Sequence, residues 1–68
     1  MPKRLSSHAF IDILTSNGFH LISRHGSHAM YRDEHSHTVI VPHPRMDIPI
    51  GTIRSMIRQC GLPKNLFD

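Results

Sequence analysis

The stretch FHLISRHGSHAMYRDEHSHTVIVP, residues 19–42, decides the fold. It holds three short segments that favour extended backbone: Phe19 to Arg24, His28 to Asp33, and His37 to Pro42. The last is the clearest, with Thr38-Val39-Ile40-Val41 at its centre. His25-Gly26-Ser27 reads as a turn, because glycine reaches backbone angles that other residues avoid. Asp33 to Ser36 reads as a polar hairpin turn. Pro42 and Pro44 close the third segment, since proline has no amide proton for a strand ladder. The second segment is ambiguous, as Met30 and Tyr31 are both plausible inward residues.

On either side the periodicity becomes helical. Upstream, Phe10, Ile11 and Leu14, with Ala9 and Ile13 alongside, make the apolar stripe of an amphipathic helix over about residues 7–17. Ser6 and Ser7 are candidate N-caps, and Asn17-Gly18 stops the helix. Downstream, Arg45 to Ile48 reads as a loop, and a second helix begins at Asp47 or Ile48 with Pro49 in its first turn. Ile50, Ile53, Ile57 and Cys60 share one apolar face, while Arg54 and Arg58 reach solvent. Gly61 followed by Pro63 ends that helix, and Leu66 and Phe67 are expected to fold back on the core. The expected fold is α+β, in the order α-β-β-β-α, over a single domain spanning residues 1–68. A three-stranded antiparallel sheet carries both helices side by side on one face and turns the other to water. That is the arrangement of the double-stranded-RNA-binding fold.

A chain of 68 residues buries only about 60% of its unfolded surface, so its core is thin and any active site is shallow. A shallow site suits an extended polymer better than a small metabolite. Eight Lys and Arg against five acids give a net charge of +3, which favours anionic partners, nucleic acid being the commonest. Cys60 is the single cysteine, so no internal disulfide forms, and its apolar surroundings suggest a small buried hydrophobe. The apolar runs are too short to span a membrane. Met1 to Arg4 carries two positive charges with no apolar run and cleavage site after it, so no signal peptide is expected, and the cytoplasm is the expected location. The seven histidines belong mostly on the surface, where one could do chemistry.

Residues 24–31, RHGSHAMY, hold the candidate. Gly26 and Ser27 present successive backbone amides at a turn, which can form a small concave anion site. His28 stands at the first position of the strand beside it, and Arg24 adds positive charge. A phosphate held by amides next to an imidazole is a minimal kit for RNA cleavage. RNA supplies its own nucleophile, the 2′-hydroxyl, and histidine moves protons near neutral pH. Positioned acid–base catalysis of this kind gives roughly 10²–10⁴-fold. From the tripeptide alone, His28 is equally one surface histidine among seven.

The ordered set of motifs resembles the HicA family of toxin–antitoxin modules over nearly the whole chain. The motifs are Ser6-Ser7, Asn17-Gly18-Phe19, Gly26-Ser27-His28 with Tyr31, Val41-Pro42-His43-Pro44, Gly51-Thr52-Ile53-Arg54-Ser55 and Gln59-Cys60-Gly61-Leu62. The resemblance implies the fold derived above, a toxin that is an endoribonuclease acting on mRNA, and catalysis by His28; the local chemistry of the turn makes Arg24, His25, Gly26 and Ser27 the expected RNA-binding residues. It implies a HicB-like antitoxin as partner; Asp12, Asp33, Glu34, Asp47 and Asp68 are scattered apart from the turn pair, so neither metal nor cofactor is expected. Two positions depart from the family pattern. His25 stands where lysine is common, which either lowers the fixed charge or supplies a second titrating group. Cys60 stands where alanine is usual.

Other residues keep two readings each. His43 either contacts RNA or transfers a proton, or simply ends the third strand. Tyr31 either stacks on a base or packs in the core. His35 and His37, near Asp33 and Glu34, could hold a metal weakly, though structural zinc sites ordinarily need four ligands. Arg54 and Arg58 form a basic ridge or a plain solvated face. The competing function is a small double-stranded-RNA-binding module that does not cut.

Overall fold

A computed structural model describes residues 4–68. Met1 to Lys3, part of the N-terminal segment read above, lie outside the described residues. The elements are α1 (Ser7–Ser16), β1 (His20–His25), β2 (His28–Arg32), β3 (Thr38–Pro42), α2 (Ile50–Cys60) and a short 3₁₀ turn, Lys64–Phe67. The strands form one antiparallel sheet in the order β1-β2-β3. The fold is thus α+β in the expected order.

Strand alternation sorts the sheet into two faces. Ala29 and Tyr31 of β2 and Val39 and Val41 of β3 are buried, packed against Phe10 and Leu14 of α1 and Ile53, Met56 and Ile57 of α2. Both helices therefore cover the same face. His28, Arg32 and Ile40 look the other way and are exposed. This settles the ambiguity in β2: Tyr31 is 8% exposed and belongs to the core, while Met30 lies outward. The helices barely reach β1, whose Leu21 and Ile22 stay half exposed where the pairing with β2 slips by a residue.

Some ends shift by a residue, β2 stopping at Arg32 and not Asp33 and β3 starting at Thr38 and not His37, and three further differences position the site. First, β1 runs one residue further, so His25 is a strand residue paired with His28 and the turn is only Gly26-Ser27. Phe19 precedes the strand and is buried, its amide donating to the Leu14 carbonyl at the end of α1. Second, α2 begins at Ile50, not at Asp47 or Ile48. Pro49 is its N-cap, with an extended ψ of 143°. A residue before proline is itself pushed to extended backbone. Ile48 stays outside the helix and is buried, with its amide donating to the Leu5 carbonyl at 3.0 Å. Third, the two serines divide their work. Ser6 caps α1, accepting from the Ala9 amide at 3.1 Å, while Ser7 is fully buried.

The far end of the sheet is closed by local contacts. Asp33 accepts from the His35 and His37 amides at 3.1 and 2.7 Å and meets the His37 ring nitrogen at 2.7 Å. Desolvation pushes the Asp33 carboxyl up, but these bonds outweigh it and hold it below its ordinary value. Phe67 folds back as expected and stacks on Phe10 at 4.8 Å, whereas Leu66 remains partly exposed.

Candidate active site at the β1–β2 turn

The turn that joins β1 to β2 has two residues. Gly26 takes a positive φ of 58°, the conformation that a tight hairpin asks of its first central residue. Because His25 and His28 are direct cross-strand partners, their side chains share a face. That face is the open one, and both histidines are exposed. His28 sits on the central strand next to Ala29, which is 1% exposed, so its backbone is held by the core while its ring meets water.

The turn is fastened from behind by its carbonyls. The Ser27 carbonyl accepts from the His43 amide at 2.8 Å, and the Gly26 carbonyl accepts a longer bond from Arg24 Nε at 3.4 Å. Among the described residues, neither the Gly26 nor the Ser27 amide donates a turn or loop hydrogen bond. The amide edge of the turn is thus the side left to meet an anion.

Arg24 and His43 lie on the other face. Arg24 pairs with inward-facing Ala29, and its Nη2 donates to the His43 carbonyl at 3.1 Å. The His43 ring points to the start of α1, with Nδ1 2.7 Å from Ser7 Oγ and the ring edge-on to His8 at 4.8 Å. Ser7 Oγ also accepts from the Arg45 amide at 2.9 Å, and the Ser7 amide donates to the Arg45 carbonyl at 2.7 Å. Burial, then the charges of Arg24 and His8, hold the His43 imidazole below its ordinary pKa. A neutral ring is thereby favoured at physiological pH. The segment 43–45 is a strap that binds the exit of β3 to the β1–β2 turn on one side and to α1 on the other.

Of the residues singled out in the sequence, the structure brings His25, Gly26, Ser27 and His28 together on the open face. Arg24 joins them only through backbone carbonyls. His43 is held away from the open face, and Ser7 is the residue that sequence reasoning missed in this role. Its partner lies 36 positions along the chain, and no local pattern could announce it. His35 and His37 pair with Glu34 and Asp33, and among the described residues no three His, Cys, Asp or Glu side chains converge. A groove of about 370 Å³ lies at the opposite end of the sheet, lined by Gly18, His20, His35, His37 and Gly61, and does not include His28. Arg54 and Arg58 are exposed, the latter donating to Ser55 Oγ at 3.0 Å. The Cys60 thiol is buried, and desolvation pushes its pKa up, which makes it a packing group. No helix among the described residues is long and apolar enough to cross a membrane.

No match was found among curated proteins. The family model for the HicA toxin of bacterial toxin–antitoxin systems matches residues 7–62, which takes in both helices, all three strands and the histidine-bearing turn, and the chain belongs to that family.

Proposed function

We propose that this toxin is a metal-independent endoribonuclease that cleaves mRNA in the cytoplasm, with His28 as its catalytic residue and a HicB-like antitoxin as its inhibitor. The observation that carries the reading is the placement of His28. It is an exposed imidazole on a core-anchored strand, beside a glycine turn whose amides are free to face a phosphate. The open face suits a polymer, since nothing encloses it and no carboxylate stands on any of the three strands to repel a polyanion. Gly26 and Ser27 bind the phosphate through their amides, and His25 adds a donor. Arg24 contributes by holding the Gly26 carbonyl, which keeps the turn in shape. The likeness in element order to double-stranded-RNA-binding domains favours an RNA partner.

His28 transfers a proton at the reacting phosphodiester, and the substrate's 2′-hydroxyl is the nucleophile. A short basic domain with its site on an open face needs a protein cover when silent, and an acidic antitoxin surface would find that face by charge.

The test is a mapped RNA cleavage site synthesised with a single 2′-deoxy residue at the cut position. The all-ribose strand should be cut to a 2′,3′-cyclic phosphate and a 5′-hydroxyl, and the deoxy strand should resist. Efficient cutting of the deoxy strand, or a 5′-phosphate product, would show that another nucleophile attacks. Binding of RNA without any cutting would favour the non-catalytic module instead.

A further inference from the structure

We infer that His25 is the second proton-transfer group of the site, so that cleavage uses an imidazole pair facing each other across the β1–β2 hairpin. This rests on His28 being catalytic. The geometry comes from the register. His25 and His28 are direct partners at the end of the ladder, which sets their Cβ atoms about 4.5–5.5 Å apart on one face. The ring contacts among the described residues are His8–His43, Phe10–Phe67 and His35–His37. The His25 and His28 rings do not pack on each other, which leaves both free to meet a phosphodiester on that face. The Gly26 and Ser27 amides belong to the turn that joins the two histidines.

Every other neighbour is unsuited to the second transfer. On the far side of His28 the partner is Pro42, which has no titrating group. Arg24 projects to the opposite face and is engaged with carbonyls. His43 is committed to Ser7 behind the sheet. Arg32, on the same face as His28 but at the other end of β2, donates to Thr38 Oγ1 at 3.1 Å.

The step balances with these two groups alone. A neutral imidazole takes the 2′-hydroxyl proton as the 2′-oxygen bonds to phosphorus. The phosphorus–O5′ bond breaks, and the partner imidazolium gives its proton to the departing 5′-oxygen. The products are a 2′,3′-cyclic phosphate and a 5′-hydroxyl, and the proton charge has moved from one ring to the other. Imidazole suits either half of this exchange, because one ring nitrogen can take a proton while a protonated ring can give one.

The experiment is a pH–rate profile on a short RNA spanning a mapped cleavage site, for the unaltered toxin, His25→Gln, His25→Lys and His28→Ala. The unaltered toxin should give a bell between about pH 5 and pH 8. His25→Gln should lose one limb of the bell and roughly 10²–10⁴-fold in kcat, while its affinity for the 2′-deoxy strand stays within a few-fold. His25→Lys should move that limb to higher pH. Loss of the acid limb marks His25 as the base, and loss of the alkaline limb marks it as the acid. An intact bell in His25→Gln, with only KM raised, would reduce His25 to a phosphate contact and overturn the inference. Activity surviving in His28→Ala would overturn the underlying reading instead, whatever His25→Gln does.

Discussion

The Ser7 hydroxyl and the His43 imidazole meet at 2.7 Å across the space between the start of α1 and the exit of β3. Ser7 is fully buried, and its oxygen also receives the Arg45 amide. Ser7→Ala would strip a partner from two groups at once. Leaving a buried polar group unsatisfied costs about 1–3 kcal/mol. For a domain of this size each kcal/mol is worth roughly 4–8 °C in Tm. Thermal melts should show a loss in that range, and a melt within about 1 °C of the unaltered protein would mean that the strap is unimportant to stability.

His43 also carries a pH dependence, set by its burial and then by the charges of Arg24 and His8. His43 is held below the ordinary value of 6.5, so the unfolded chain takes up this proton more readily than the folded one. Stability from neutral His43 is therefore fully present above pH 6.5 and falls away as pH drops below it towards the folded value. Asp33, also lowered, acts in a separate and more acid window, below its ordinary 3.8. Denaturant titrations should show His43→Asn losing less stability than the unaltered protein on going from neutral to mildly acid pH. Parallel curves for the two would contradict the assignment.

Two glycines are expected to respond in opposite directions. Gly61 caps α2 with a φ of 70°, and a Cβ there would sit 2.8 Å from His37 Nε2. Gly61→Ala should cost about 1–2 kcal/mol for the left-handed backbone alone, with the His37 contact adding to it. Gly51 lies inside α2, and a methyl group there would meet nothing within 4 Å. Gly51→Ala should stabilise by about 0.5–1 kcal/mol at most. Chemical denaturation of both variants checks the pair, and equal effects would undercut the structural distinction.

Much of this was legible in the sequence because it is local. The Thr38-Val39-Ile40-Val41 run, the Asn17-Gly18 stop and the spacing of Ile53, Ile57 and Cys60 each depend on neighbours within a turn or two. The faces of β2 did not yield, because Met30 and Tyr31 are both apolar. Only the register against Val39 and Ile40 on β3 decides between them. The turn shows how much one residue of length matters to the candidate site. Shortening it by one residue moves His25 out of the loop and onto the ladder opposite His28. The Gly26-Ser27-His28 motif marked the place; the pairing of His25 with His28 turns on the exact length of that tight turn, and the Ser7–His43 strap behind it joins residues 36 positions apart.

Cleavage is expected to persist in excess chelator. The carboxylates do not gather: Asp33 is spent on the His37 contacts, Asp47 pairs with Arg4 at 2.8 Å, and no three potential ligands meet among the described residues. RNA digestion with and without chelator checks this directly. Loss of activity, restored by one particular metal, would overturn the proton-transfer mechanism.

The most direct measurement is RNA cleavage and growth arrest by His28→Ala, with His35→Ala as the control. His28 is exposed, so its removal should change stability by no more than about 0.5 kcal/mol. Loss of a catalytic acid or base costs roughly 10²–10⁴-fold in rate. The expected result is a folded protein that neither cuts RNA nor arrests growth, beside a His35→Ala protein that does both. A folded His28→Ala protein that still degraded RNA at near the unaltered rate would contradict the account.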